Sequence, residues 1–182
     1  MDYTLSFIAG LVAMVFIVTS YFLNQKKLYL LFQGIGIVFL ILSYFFIGKF
    51  FAMLGLFVGL LRCIVYFLYE EKNRKIPLFF AFCFSIMTLA CYFIVNVGIQ
   101  KSANITDILY LSALIGYAFT FRIGDLSLLL WLTLIPNALS VLYNLLISAT
   151  PFVIVSYAFE LGANVFAIWK NLYNEKKSRE RS

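Results

Sequence analysis

Seven long apolar stretches, separated by short polar connectors, make up most of this sequence. Each is about as long as the roughly 17 to 25 helical residues that cross the hydrocarbon core of a bilayer. The stretches lack the strict apolar/polar alternation that the strands of a membrane barrel would show, so they predict helices. The predicted transmembrane helices cover residues 4–23, 28–47, 50–69, 78–97, 105–121, 126–147 and 151–169.

Composition supports this interpretation, because 64% of the residues are apolar and only 12% are charged. Soluble domains typically carry about 25% charged residues. Seven spans use nearly all of the 182 residues and leave no room for a separate soluble domain. We therefore expect one all-α transmembrane domain over residues 1–182, with the lipid bilayer as its surroundings.

The basic residues are distributed unevenly between the connectors. If the N-terminus lies outside, Lys49 and Lys101 face outward and eleven basic residues face inward. The inward set is Lys26, Lys27, Lys72, Arg74, Lys75, Arg122, Lys170, Lys176, Lys177, Arg179 and Arg181. Loops rich in Lys and Arg stay in the cytoplasm, so we expect an external N-terminus and a cytoplasmic C-terminus. Sidedness thereby explains the net charge of +6, and no nucleic-acid partner is expected.

A weak internal repeat suggests a subdivision of the bundle. The segment Leu68-Tyr69-Glu70-Glu71-Lys72-Asn73 resembles Leu172-Tyr173-Asn174-Glu175-Lys176-Lys177. Further pairings join Gly55 and Gly59 with Ala158 and Gly162, Leu28 with Leu126, and Tyr44 with Tyr143.

The predicted organisation is 3+1+3: a three-helix unit (1–75), a linker helix (76–100), a second unit (101–172) and a cytoplasmic tail (173–182). A single linker helix gives both units the same orientation, so the repeats would be parallel. Alternatively, two helix ends rich in Lys and Glu resemble each other without any repeat. Small residues spaced by four are interpreted as sites of close helix packing.

Two charged residues are predicted near the middle of the membrane, Arg62 in the third span and Glu160 in the seventh. Unpaired ions are costly at that depth, so we expect the two to form an ion pair or to share a polar partner such as Asn164. The pair would serve either as a gate or coupling site or as a structural clamp between the halves.

The sixth span carries the clearest polar face. Thr133, Asn137, Ser140 and Asn144 follow one another at spacings of four, three and four, which places them on one side of a helix. Pro136 interrupts the backbone bonding of this span, and freed carbonyls of broken helices often bind substrate. The alternative is hydrogen bonding between packed helices. Ser156 and Asn164 extend the polar face of Glu160, Gln33 is the counterpart in the second span, and Trp131 is the aromatic candidate for ligand contact.

The first 75 residues resemble the Imp-YgjV family of bacterial inner membrane proteins. Their motifs are Ser20-Tyr21-Phe22, Asn24-Gln25-Lys26-Lys27, Leu31-Phe32-Gln33, Leu42-Ser43-Tyr44 and Arg62. The 3+1+3 layout also resembles the SWEET sugar facilitators and the PnuC vitamin-precursor transporters. The SWEET resemblance implies a cavity asparagine on the third and seventh helices; Asn164 matches the latter, but the third offers only Leu60, Leu61 or Arg62.

Catalytic patterns are missing, since the sequence has no histidine, no phosphate-binding glycine loop and no closely spaced carboxylate pair. We expect no enzyme activity and no cofactor or metal. The predicted function is transport or facilitated diffusion of a small polar solute across the bacterial inner membrane, which requires only a polar cavity in a bundle with two conformations. Facilitated diffusion is favoured over proton symport, because a pair with Arg62 would keep Glu160 ionised and oppose proton coupling. The alternative is a membrane scaffold or accessory subunit. A homo-oligomer is left open, as are the solute and its direction.

Overall fold

The computed structural model describes residues 3–99, 105–146 and 151–179. Helices account for nearly all of these residues, which confirms the predicted all-α class. The helices are α1 (Tyr3–Ser20), α2 (Lys26–Phe46), α3 (Phe50–Glu71), α4 (Leu78–Tyr92), α5 (Ile105–Thr120), α6 (Leu126–Leu146) and α7 (Pro151–Arg179), with a π-helical segment (Phe93–Ile99) after α4.

Five helical segments in the described part of the chain are long and apolar enough to cross a membrane. These segments are Tyr3–Ser20, Lys26–Phe46, Phe50–Glu71, Leu78–Asn96 and Leu126–Leu146, and a shorter apolar helix spans Thr106–Thr120. The chain thus has the character of a polytopic membrane protein, and the prediction of seven spans is confirmed at five.

Two helices differ from the predicted spans. The fourth span was predicted as one helix over residues 78–97, but its α-helix ends at Tyr92 and wider π-helical turns follow. The last helix continues past the predicted end at residue 169 to Arg179, through a segment that contains three Lys residues and no Gly or Pro. Asp2, Lys101, Ile147 and the tail residues 180–182 lie outside the described residues.

Six of the helices surround a common axis. The first helix packs against α2, and α2 against α3; likewise α5 packs against α6, and α6 against α7. Contacts of α3 with α5 and of α1 with α7 close these two groups into a ring, which we call the helix ring. Helix α4 lies outside it, against α3 and α5.

The α1–α2 and α5–α6 hairpins have the same design, with equivalent residues 100 positions apart. The first helices end at Ser20 and Thr120, and the second helices have bounds Lys26–Phe46 and Leu126–Leu146. In the turns, Leu23 N donates to Ser20 O at 3.2 Å, and Ile123 N donates to Thr120 O at 3.0 Å. Each buried residue of α6 follows a buried residue of α2 by 100 positions.

Small residues permit close packing at one predicted site but not at the other. A Cβ atom added to Gly55 would lie 2.5 Å from Cδ1 of Leu114, so α3 and α5 approach closely there, as predicted. Ala158 and Gly162 are exposed, and an added Cβ at Gly162 would meet open space. The prediction of close helix packing at Ala158 and Gly162 is therefore wrong within the chain, because this face of α7 is exposed.

Ion pairs join the start of α2 to the end of α3. Lys26 Nζ contacts Glu70 Oε1, and Lys27 Nζ lies 2.9 Å from Glu71 Oε1. Lys26 is buried, whereas the side chain of Lys27 is largely exposed. This end of the bundle, with Lys26, Lys27 and Arg122, is called the basic end below.

Candidate functional site

A narrow cavity lies on the axis of the helix ring, and every helix of the ring contributes to its lining. Its volume of about 30 Å³ suffices for about two water molecules, since one needs roughly 10–15 Å³. Its charged and amide residues are Gln33, Arg62 and Glu160, and Ser140 adds a hydroxyl. The other lining residues are Ile17, Ile37, Leu40, Leu56, Gly59, Tyr110, Leu114, Tyr117, Phe121 and Tyr157.

Arg62 crosses from α3 to the α5 side of the cavity. It is 4% exposed, and its Nη1 donates to the carbonyl oxygen of Leu114 at 3.3 Å. Its guanidinium carbon lies 4.7 Å from the ring centroid of Phe121 and 5.5 Å from that of Tyr117. A cation over an aromatic face is stabilised by up to about 2 kcal/mol when desolvated. The Nε–H group of Arg62 is buried and has no hydrogen-bond partner among the described residues.

Glu160 is held by a chain of hydrogen bonds that crosses the ring. The hydroxyl of Tyr21 donates to Glu160 Oε1 at 2.9 Å and accepts from Asn137 Nδ2 at 3.0 Å. The hydroxyl of Tyr117 in turn donates to Asn137 Oδ1. The Gln33 side chain lies beside the Glu160 carboxylate and donates to Ser20 Oγ at 3.0 Å. Helices α5, α6 and α7 and the end of α1 are thereby linked around one carboxylate.

The predicted ion pair between Arg62 and Glu160 is not formed. Ion pairs among the described residues are those of Lys26 and Lys27 at the basic end. Arg62 instead uses a carbonyl and two aromatic faces, and Glu160 uses a phenol. The expected shared partner, Asn164, donates to Thr133 Oγ1 at 3.1 Å. Two opposite charges therefore border one cavity without contacting each other.

The four residues of the polar face predicted on α6, Thr133, Asn137, Ser140 and Asn144, are all buried. Of these four, Ser140 lines the cavity and the other three do not. Asn144 accepts a hydrogen bond from Tyr44 at 2.8 Å and donates to Ser140 O at 2.8 Å. Within the part of the chain that the structure describes, Ser140 Oγ and Asn164 Oδ1 have no hydrogen-bond partner. Pro136 lies inside α6, which continues through it without a break. Its ring packs against Gly116, where an added Cβ atom would lie 3.3 Å from the Pro136 Cβ.

Trp131 does not belong to the site, contrary to expectation. Its side chain is 47% exposed, whereas Thr133 is fully buried. Residues two positions apart in an α-helix are separated by about 200° around its axis. Trp131 therefore lies on the opposite side of α6 from Thr133 and the polar face.

Aromatic layers flank the cavity at both ends. At the basic end the ring of Tyr29 lies edge-to-face between Tyr21 and Phe121, with both centroid distances 5.5 Å. At the other end Tyr110 stacks on Tyr143 at 4.6 Å. Along α2, Tyr29 precedes the lining residue Gln33 by one turn, and along α5 Tyr110 precedes the lining residue Leu114 by one turn. The cavity therefore occupies the space between these layers.

Sequence reasoning missed several residues of this site. Tyr21 was named only within the motif Ser20-Tyr21-Phe22, and Tyr117 and Phe121 were not singled out. The recurrence of Ser20-Tyr21 as Thr120-Phe121 was a usable signal. It also missed the buried pair in which Asn96 Nδ2 donates to Asp107 Oδ2 at 2.8 Å. Asp107 lies in the first turn of α5, where a carboxylate favours the helix N-terminus.

Comparison of the chain with protein-family models, curated proteins and solved structures gives no match. The resemblance to the Imp-YgjV family accordingly stays a prediction.

Proposed function

We propose that the chain is a transporter or facilitator of a small polar solute and that the central cavity is its translocation site. The observation that carries this proposal is the placement of Arg62 and Glu160, both buried, on a cavity lined by every helix of the ring. Ionisable residues inside a membrane bundle are costly and typically mark substrate or ion pathways. If the space served only packing, hydrocarbon side chains in place of Gln33, Arg62, Ser140 and Glu160 would fill it at a lower desolvation cost.

A parallel 3+1+3 repeat is part of this proposal. It is supported by the 100-residue spacing of the two hairpins and by the equivalent seams, α3 with α5 and α7 with α1. The helix boundaries favour pairing Lys26 with Leu126 and Tyr44 with Asn144, instead of the sequence pairings Leu28 with Leu126 and Tyr44 with Tyr143. Two similar units that move against each other around a central site provide alternating access.

The conformation described here fits a contracted, occluded step of such a cycle. A volume of about 30 Å³ is far below the roughly 300–1,000 Å³ of solute-binding pockets. The aromatic layers above and below the cavity would separate in turn to admit and release the solute. The concentration of Lys and Arg at the basic end supports a cytoplasmic position for that end, in a bacterial inner membrane.

The contacts of Glu160 bear on whether transport is facilitated diffusion or is coupled to protons. Facilitated diffusion was favoured because a direct Arg62 partner would oppose protonation of Glu160. Since Glu160 contacts Tyr21 instead, that argument no longer excludes proton coupling. Flux measurements with and without a proton gradient distinguish the two modes.

A non-transporting scaffold is the second candidate, and the small cavity volume favours it. In that case the polar residues would serve only to join helices. Most of them do bond to one another, as Asn144 does to Tyr44 and Asn164 to Thr133.

Reconstituted proteoliposomes separate these functions. We expect osmotic light scattering to detect entry of at least one class of small solute, taken from neutral, anionic, cationic and zwitterionic sets. Gly59→Trp should abolish the flux, because Gly59 lines the cavity. The matched control Gly162→Trp meets open space on the outer face and should retain it. Flux of no solute class above that of empty vesicles, with a folded protein, would support the scaffold.

A further inference from the structure

We propose that the cavity binds a small zwitterionic solute, whose anionic group contacts Arg62 and whose cationic group contacts Glu160. This inference rests on the proposed transport function and names its substrate class. It follows from the arrangement of charge around the cavity rather than from its volume.

The two charges sit on opposite sides of the pseudo-symmetric bundle. Arg62 belongs to α3 and contacts the α5 seam, whereas Glu160 belongs to α7 and contacts the end of α1. If their role were only to stabilise the bundle, direct pairing would give the strongest mutual attraction, and it is absent between these two residues. Instead, both charges border the same cavity.

The Arg62 side of the cavity retains hydrogen-bonding capacity for a ligand. Arg62 and Ser140 both line the cavity, and neither the Nε–H of Arg62 nor the hydroxyl of Ser140 has a hydrogen-bond partner in residues 3–99, 105–146 and 151–179. Guanidinium groups bind carboxylate and phosphate oxygens through parallel hydrogen bonds, which suits an anionic group on this side. On the other side, the Glu160 carboxylate accepts hydrogen bonds and attracts a cation.

Charge balance selects a zwitterion over other solutes. An anion bound to Arg62 would add negative charge close to Glu160, and a cation bound to Glu160 would add positive charge close to Arg62. In a desolvated site such like-charge neighbours are strongly unfavourable. A neutral polyol avoids repulsion but compensates neither ion. A zwitterion compensates both and leaves the total charge of the site unchanged.

Binding to the purified full-length protein in detergent tests this assignment. The probes are the proteinogenic amino acids and glycine betaine, scored by the rise in unfolding temperature and by isothermal titration. For each zwitterion that binds, its decarboxylated amine and its deaminated acid are then tested, together with glycerol as a neutral solute. We expect at least one zwitterion to bind and each single-charge fragment to bind at least tenfold more weakly.

Two variants give a readout that a structural role would not produce. Glu160→Gln leaves a net positive site, so the preference should shift at least tenfold toward the deaminated acid. Arg62→Gln should shift it toward the amine. The control Glu71→Gln makes the same chemical change at the exposed Lys27 pair and should preserve the ranking.

Several results would overturn the inference: no zwitterion binds, a fragment or glycerol binds as tightly as the best zwitterion, or Glu160→Gln leaves the ranking unchanged. If a charge variant fails to fold, the comparison of fragments on the wild-type protein decides. Flux of another solute class without zwitterion binding would refute this inference alone. Zwitterion binding without flux of any solute would instead refute transport.

Discussion

Replacing Tyr21 with phenylalanine removes one oxygen atom from the hydrogen-bond chain around Glu160. That oxygen donates to Glu160 Oε1 at 2.9 Å and accepts from Asn137 Nδ2 at 3.0 Å. Tyr21 is 3% exposed, so water does not readily replace the lost hydroxyl. The change therefore leaves both a carboxylate oxygen and an amide donor without this partner.

The expected magnitude follows from the kind of bond. A hydrogen bond to a charged group typically contributes about 1.5–3 kcal/mol in proteins. Side-chain bonds in one well-studied membrane bundle average about 0.6 kcal/mol, with a maximum near 1.7. Because two bonds are lost and one involves a carboxylate, we expect Tyr21→Phe to lower the free energy of unfolding by about 2 kcal/mol.

A double-mutant cycle isolates the contact with Glu160. The free energy of unfolding is measured by titration with a denaturing detergent for Tyr21→Phe, Glu160→Gln and the double mutant. We expect a coupling energy of about 1.5 kcal/mol between the two positions. Tyr66→Phe is the matched control, because the Tyr66 hydroxyl donates to a neutral acceptor, Ala118 O, at 2.8 Å.

The control should cost only about 0.6 kcal/mol and should show no coupling to Glu160→Gln. Additive effects of Tyr21→Phe and Glu160→Gln, within about 0.5 kcal/mol, would refute the contact. So would a cost for Tyr21→Phe no larger than that for Tyr66→Phe. Either result would mean that Glu160 is stabilised by other groups.

Three further predictions concern packing, ion pairs and sidedness. Gly55→Ala should lower stability by about 1–3 kcal/mol in thermal unfolding, because its Cβ would lie 2.5 Å from Leu114 Cδ1. The control Gly162→Ala should cause no loss of stability. Equal effects of the two variants would contradict the α3–α5 contact. Lys26→Met should lower the free energy of unfolding by about 1–3 kcal/mol, because it leaves the partly buried Glu70 unpaired. Lys27→Met, at an exposed pair, should lower it by less than about 1 kcal/mol. The reverse order would be inconsistent with the burial of these pairs. Asn73→Cys should react with an impermeant maleimide only from the cytoplasmic side and Lys49→Cys only from the outside, relative to the parent with its three cysteines; labelling of both from one side would disprove the topology.

The helix positions were predictable where bilayer thickness determines them. The bounds of α2 and α6 lie close to the predicted spans, because an apolar run of bilayer length must satisfy its backbone bonds as a helix. The π-helical segment after Tyr92 was not predictable, since hydropathy does not encode which carbonyl each N–H selects. The extension of α7 was missed because hydropathy falls at Lys170, although helix propensity continues.

The sequence located the site better than it identified its contacts. Spacing alone placed Asn137 and Ser140 on an inward face, and depth alone marked Arg62 and Glu160. The partners depend on how α3 and α7 are rotated about their axes, which a single sequence does not specify. Phe121 illustrates the difficulty, because an apolar ring in a membrane helix gives no sign that it lies under a guanidinium.

The seams of the proposed repeat are alike in geometry and opposite in chemistry. Tyr21 and Phe121, 100 residues apart, occupy corresponding positions just after α1 and α5, and each receives a charged side chain from the third helix of the other unit. The aromatic residue suits the charge in both places: a phenol can donate to the Glu160 carboxylate, whereas a ring face attracts the Arg62 cation without needing a hydroxyl. A cavity between two such seams is positive on the α3 side and negative on the α7 side. It would therefore hold a zwitterion in one orientation only, which a pair of identical seams could not enforce.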